Sequence, residues 1–172
     1  MTNGDEMLES AQSRKGELAA PDLDPRPRRK VAVLTCMDTR LEVERILGIS
    51  RGDAHIIRNA GGLVTDDAIR SLSISQRLLG TEEIIVVMHE DCGLQGTTEE
   101  ALASALAANG KPPAWSVGAF KDLEKTLEES LRQLRLSAHL VTRHAIRGFV
   151  FDPATGNLHE VCLEDESSPA SS

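Results

Sequence analysis

The chain has 172 residues, 40% of them hydrophobic and 27% charged, a composition typical of one globular domain with its own core. A net charge of −8 and the scarcity of aromatic residues (three Phe, one Trp, no Tyr) argue against nucleic-acid or anionic-membrane partners. No apolar stretch has membrane-spanning length and no signal peptide is visible, so we expect a cytoplasmic protein with reduced cysteines.

Polar segments flank the predicted domain at both ends. Residues 1–28 contain three prolines, and we expect a short helix or a disordered arm there. A basic cluster at the junction is either a solvated linker or a contact for an acidic partner; its members are Arg26, Arg28, Arg29 and Lys30. Residues 164–172 are rich in serine and acidic residues and are predicted to be disordered. The domain is therefore predicted to span residues 29–163.

Five short segments have the apolar or alternating pattern of β-strands. They cover residues 31–35, 54–57, 84–88, 146–151 and 158–163. The first is continuously apolar and β-branched, which is typical of a central parallel strand. The last two are separated by a Pro- and Gly-containing turn and are predicted to form a hairpin.

Between these strands, apolar residues recur at the three- and four-residue intervals of helices. Thr65 is a predicted N-cap and Gly80 a predicted stop of the clearest helix, and Gly48 is expected to end a shorter one. An alanine-rich helix is expected from residue 97 to about residue 108. A further amphipathic helix is predicted from the spacing of Phe120, Leu123, Leu127, Leu131 and Leu134. This alternation predicts an α/β fold in which helices flank a mainly parallel central sheet with an antiparallel edge.

Two cysteines and a histidine follow predicted strands. Cys36 comes directly after strand 31–35, while His89 and Cys92 come just after strand 84–88. Sites in such sheets gather at the carboxyl ends of strands, so these side chains can converge. Zn²⁺ prefers thiolate and imidazole ligands, and three protein ligands leave a fourth position for water. We therefore predict one zinc ion per chain on Cys36, His89 and Cys92, with a Cys36–Cys92 disulfide as the alternative.

The other cysteine and the other histidines have no partner at ligand spacing. Cys162 falls in the last predicted strand and is interpreted as a small core or edge residue. The histidines are interpreted as surface or core-boundary residues; they are His55, His139, His144 and His159.

Asp38 and Arg40 follow Cys36 closely and can be interpreted in two ways. A surface ion pair would contribute little. Alternatively, Asp38 could accept a hydrogen bond from zinc-bound water or bind zinc as a fourth ligand, while Arg40 holds it away through a bidentate pair. We favour the second interpretation because the strand-end thiol and this pair occur together.

Three motifs together resemble the β-class carbonic anhydrases, in particular their short bacterial and archaeal branch. Residues 36–40 (C-M-D-T-R) match the pattern C-x-D-x-R, and residues 89–93 (H-E-D-C-G) match H-x-x-C-G. Residues 58–61 (R-N-A-G) form the third motif, a glycine-containing turn. The resemblance covers roughly residues 29–163.

The resemblance implies reversible hydration of CO₂ to bicarbonate and a proton, with zinc on the three predicted ligands. It also implies a homodimer or a higher multiple of dimers with a CO₂ pocket at the interface, where we expect Asn59, Gly61 and Gly62. Asp38 and Arg40 match the family's dyad, and in some members the matching aspartate binds zinc in a closed, inactive state. Zinc hydroxide would attack CO₂, with Asp38 orienting it.

Two alternatives remain open from the sequence. A hydrolase acting on carbonyl sulfide or carbon disulfide would use the same site, because these molecules are sulfur analogues of CO₂. A non-catalytic zinc or redox module would need a closed four-coordinate site, and the nearby carboxylate argues against it.

Overall fold

A computed structural model describes residues 2–107 and 110–163 of the chain. The predicted disordered tail, residues 164–172, lies outside the described residues. The alanine-rich helix spans Glu99–Ala105, so it is shorter than the predicted 97 to about 108, and Ala108 itself lies outside the described residues. No helix in the described part of the chain has the length and apolarity needed to cross a membrane.

One five-stranded sheet forms the centre of the domain, in the order β2-β1-β3-β4-β5. Its strands are β1 (Val31–Cys36), β2 (Ala54–Asn59), β3 (Glu83–His89), β4 (Ile146–Phe151) and β5 (Leu158–Val161). The first four run parallel, and only β5 pairs antiparallel with β4. The predicted fold class, a mainly parallel sheet with an antiparallel edge, is confirmed.

Six α-helices accompany this sheet in the described residues, besides a short 3-10 turn at Ala60–Gly62. They are α1 (Asn3–Ser13), α2 (Lys15–Leu18), α3 (Val43–Leu47), α4 (Asp66–Leu79), α5 (Glu99–Ala105) and α6 (Leu123–Leu136). The Thr65 hydroxyl accepts a hydrogen bond from Ala68 N and begins α4, as predicted. Gly48 and Gly80 end α3 and α4 in the left-handed conformation, which a residue without Cβ adopts at little cost.

The core lies between the central strands and the buried faces of α4 and α6. Helix α6 packs on β3 and β4, where Leu127 and Leu131 are almost fully buried against Gly148. A Cβ at Gly148 would lie 2.8 Å from Leu131 Cδ1, so the absence of a side chain lets the helix approach the sheet. Burying a leucine side chain contributes about 1.5–3 kcal/mol, so this contact is a major source of stability.

Two differences from the predicted boundaries change the element in which a named residue lies. Helix α6 begins at Leu123 because Asp122 accepts a hydrogen bond from Lys125 N, so Phe120 precedes the helix and is buried in a short bridge with Gln95. Strand β5 ends at Val161, so Cys162 lies beyond it and is exposed rather than part of the core.

The N-terminal arm contains the expected short helix, and its last residues attach to the domain. Helix α1 has no buried residue. Further on, the Pro25 carbonyl lies 2.9 Å from His55 Nε2, and Arg28 binds Asp53. The basic cluster is therefore partly neutralised within the chain, since Arg29 also pairs with Asp53. The proposed boundary at residue 28 stays a prediction.

Candidate metal centre

The three predicted ligands meet at the carboxyl ends of two neighbouring strands. Cys36 is the last residue of β1, and His89 is the last residue of β3. Because β1 and β3 pair in parallel, both ends lie at the same edge of the sheet, and Cys92 follows in the next turn. Their ligand atoms all lie within 4.8 Å of one another, and all three residues are buried.

The imidazole of His89 is oriented for binding a cation. Its Nδ1 lies 2.8 Å from the Glu90 carbonyl oxygen, to which it donates a hydrogen bond. This fixes the tautomer in which Nε2 carries a lone pair. Nε2 is buried and has no hydrogen-bond partner among the described residues. A buried polar atom without a partner is costly, so a divalent metal ion fits this position.

The two thiols complete a donor set suited to zinc. Cys36 and Cys92 are free rather than joined in a disulfide. Burial raises the pKa of the Cys92 thiol, and the neighbouring Cys36 raises it further, whereas the N–H of Leu94 lowers it. A divalent cation between the two sulfurs would favour both thiolates and offset this cost.

Asp38 lies beside the ligands but is held by Arg40. Arg40 Nη2 donates to Asp38 Oδ2 at 2.8 Å, and its Nε and backbone N donate to Oδ1 at 3.0 and 2.9 Å. These hydrogen bonds hold the pKa of the Asp38 carboxyl well below its usual range. Asp38 Oδ2 is 3.9 Å from His89 Nε2, so the carboxylate borders the position that a metal would occupy.

Comparisons with known proteins identify the family. The family model described as carbonic anhydrase matches residues 31–146. The β-carbonic anhydrase 1 of Mycobacterium bovis is 45% identical over 155 residues, which are 90% of this chain and 92% of that protein. The chain belongs to the β-carbonic anhydrase family.

Two further relatives bear on fold and on substrate. The crystal structure of a carbonic anhydrase from Streptococcus mutans matches with a TM-score of 0.83 at 40% identity, covering 94% of this chain and 99% of that chain. A carbon disulfide hydrolase of an Acidianus species is 54% identical over 85 residues, which are 49% of this chain and 42% of that protein. The relatives of this β-carbonic anhydrase family member are therefore named for two different substrates.

The predicted pocket residues lie at the end of β2 and in the turn that follows it. Asn59 binds Leu63 through both atoms of its side-chain amide and lines a cleft of about 850 Å³. Gly61 and Gly62 are buried with positive φ angles, and a Cβ at Gly62 would lie 3.0 Å from Cys36 N. Gly62 therefore lets the turn approach the strand that ends in Cys36, while a pocket role for these three residues stays a prediction.

That cleft lies beside the ligand group rather than on it. Its walls come from the turn after β2, the start of α4, the loop before α6 and one face of α6. Apolar contributors include Leu63, Val64, Trp115 and Val117.

Two residues of the centre were not predicted to have a role in it. Arg58 donates to three carbonyl oxygens of the loop that carries Asp38. Asp91 accepts hydrogen bonds from Arg40 and has a φ of 56°. The preference of aspartate for the left-handed region was the only sequence signal at Asp91, and nothing in the sequence indicated which oxygens Arg58 would contact.

Proposed function

We propose that this chain catalyses the reversible hydration of CO₂ to bicarbonate and a proton, with one zinc ion held by Cys36, His89 and Cys92. The observation that carries the proposal is the buried, unpartnered Nε2 of His89, which faces two thiols at a distance suited to a shared cation. Asp38 supports it, because a structural zinc site would more typically be closed by a fourth Cys or His.

When bound, zinc lowers the pKa of a water ligand and so supplies a nucleophile near neutral pH. The two thiolates balance the charge of the dication. The role of His89 is to present Nε2, held in the correct tautomer by the Glu90 carbonyl.

Asp38 orients the nucleophile, and Arg40 positions Asp38. As an ionised carboxylate, Asp38 can only accept hydrogen bonds, so it aligns the attacking oxygen toward the carbon of CO₂. Arg40 keeps the carboxylate beside the metal position rather than on it. If that pair opened, the 3.9 Å between Asp38 Oδ2 and His89 Nε2 would allow Asp38 to close the site as a fourth ligand.

A second copy of the chain completes the proposed site. Met37, between the candidate ligand Cys36 and Asp38, is 66% exposed, so a large apolar side chain next to the centre faces outward. Cover by a partner in a homodimer or higher multiple would bury it and enclose a CO₂ pocket near Asn59, Gly61 and Gly62. The free thiols suit a reducing compartment, so we propose a cytoplasmic location.

The direct test is stopped-flow CO₂ hydration combined with metal analysis. We expect activity in proportion to zinc content, with a maximum at one zinc per chain. A zinc-loaded chain that does not hydrate CO₂ would refute the proposal.

Carbon disulfide or carbonyl sulfide hydrolysis is the second candidate, favoured by the identity to the Acidianus hydrolase. Side-by-side assays of the same zinc-loaded preparation on CO₂, carbonyl sulfide and carbon disulfide separate the two activities. A non-catalytic zinc or redox module would turn over none of these three compounds.

A further inference from the structure

The guanidinium of Arg58 connects β2 to the loop that follows β1. Its Nε donates to the carbonyl oxygen of Cys36 at 3.0 Å. Its Nη2 donates to the carbonyl of Asp38 at 2.6 Å, and its Nη1 donates to that of Leu41 at 3.2 Å. Three nitrogens of one side chain therefore bind three carbonyls within six residues.

We infer that Arg58 is a positioning residue of the metal centre, which sets the relative placement of Cys36 and Asp38. The inference rests on the proposed zinc site. Cys36 supplies a ligand and Asp38 the neighbouring carboxylate, and their main-chain carbonyls share one rigid guanidinium. A planar group that binds both carbonyls at once restrains the intervening chain.

Asp38 is therefore bound both at its side chain and at its main chain. Arg40 binds its carboxylate, and Arg58 binds its main-chain carbonyl. The contact with Arg40 sets the direction of the side chain, and Arg40 is itself bound to Asp91 in the turn between His89 and Cys92. Arg58 belongs to strand β2, so it is the contact that ties the main chain of this loop to the sheet.

The arrangement requires a guanidinium rather than only a positive charge. A lysine ammonium at position 58 would keep the charge, but it is a compact donor at one point and cannot match three carbonyls spread along a loop. Arg58→Lys therefore separates geometry from charge.

Arg147 offers a matched control. Its Nε and Nη2 each lie 2.8 Å from an oxygen of Glu160, on the hairpin of β4 and β5. Arg147→Lys removes a guanidinium whose hydrogen bonds are about as short as those of Arg58, and Arg147 has no hydrogen bond to Cys36, His89 or Cys92.

The experiment compares Arg58→Lys, Arg147→Lys and the unchanged protein. Each is loaded with zinc for kinetics and for chelator-driven metal release, and with cobalt(II) for its visible spectrum. For Arg58→Lys we expect one metal per chain, faster metal release, a shifted cobalt spectrum and a kcat for CO₂ hydration reduced roughly tenfold or more, with a smaller change in KM. Arg147→Lys should match the unchanged protein in all four measurements.

A residue that only stabilised the fold would give a different result. Arg58→Lys would then have a lower melting temperature but the same cobalt spectrum and the same kcat per bound metal, which would overturn the inference. If Arg58→Lys does not fold, Arg58→Gln takes its place in the same measurements. If neither variant folds, Arg58 is required for folding itself, and the inference is overturned. If the unchanged protein does not hydrate CO₂, the proposed function fails, while the cobalt spectra and metal-release rates still decide the role of Arg58.

Discussion

Arg40 binds Asp91 through both the side chain and the main chain of the aspartate. Its Nη1 lies 2.8 Å from Asp91 Oδ2, and its Nη2 lies 2.9 Å from the Asp91 carbonyl oxygen. Asp91 sits in the turn between His89 and Cys92, whereas Arg40 belongs to the loop after Cys36. The contact therefore joins the two loops that carry the candidate metal ligands. Its main-chain half, the hydrogen bond to the Asp91 carbonyl, is kept in any substitution at position 91.

The conformation of residue 91 should matter more than its charge. The Asp91 side chain is 86% exposed, so its ion pair contributes little, but its φ of 56° disfavours most side chains. We expect Asp91→Asn to change stability by less than about 0.5 kcal/mol and to keep most activity. Asp91→Val should cost about 1–2 kcal/mol and reduce zinc occupancy. Thermal denaturation and metal analysis check this, and equal losses in both variants would contradict it.

Removing the Asp38 carboxylate should separate catalysis from metal binding. Asp38→Ala leaves Cys36, His89 and Cys92 in place, so zinc content should stay near one per chain. CO₂ hydration should fall roughly 100-fold or more, because the nucleophile loses its acceptor. Asp38→Asn, which keeps the shape of the side chain, is the control for packing. Retention of full activity by Asp38→Ala would rule out the role proposed for Asp38.

Gly62 should tolerate alanine far less well than Gly48 does. Both have similar positive φ angles, 66° and 61°, so alanine incurs the same backbone cost, about 1 kcal/mol, at each. Only at Gly62 would the new Cβ meet backbone, 3.0 Å from Cys36 N. We expect Gly62→Ala to lose about 2–4 kcal/mol in denaturant unfolding, together with zinc affinity, and Gly48→Ala to lose only the smaller amount. Equal losses would show that the close approach is unimportant.

Glu99 should stabilise the loop before α6 in a pH-dependent way. Its carboxylate accepts the backbone N–H groups of Val117, Gly118 and Ala119, and the N–H of Val117 contributes most to lowering its pKa below 4.5. Because the folded pKa is the lower one, this stabilisation is complete above the unfolded pKa and is lost as pH falls through the folded value. The melting temperature of the unchanged protein should therefore exceed that of Glu99→Gln at neutral pH, and the difference should shrink below about pH 4. Glu100→Gln, at an exposed neighbour in the same turn of α5, is the control for removing one negative charge.

Metal removal should destabilise the folded chain. His89 Nε2 is buried without a partner among the described residues, and two buried thiols lie beside it. A ligand that binds only the folded state raises stability by about 4 kcal/mol at a thousand times its dissociation constant. Chelation under reducing conditions should therefore lower the melting temperature, and added zinc should restore it. An unchanged melting temperature in the metal-free chain would contradict zinc binding at this centre.

Local chemistry explains which elements could be predicted. Helix α4 matched its prediction because Thr65 and Gly80 act at its ends through short-range contacts. Helix α6 began later than predicted, because the apolar spacing continues back to Phe120 while the cap at Asp122 determines the start. Cys162 was assigned to a strand by its alternating pattern, but pairing with β4 ends at Val161.

By itself, the sequence determined the α/β fold, the three candidate ligands and the pairing of Asp38 with Arg40. Each of these depends on periodicity, on the position of a residue just after a strand, or on partners two or three residues apart. Only the tertiary structure decided that Arg58 holds the loop between Cys36 and Leu41, and that Arg40 reaches Asp91. The physical reason is that these hydrogen bonds join residues 17 to 51 positions apart in the sequence. Most of their acceptors are main-chain carbonyls, and because every residue has one, such acceptors leave no pattern in the sequence.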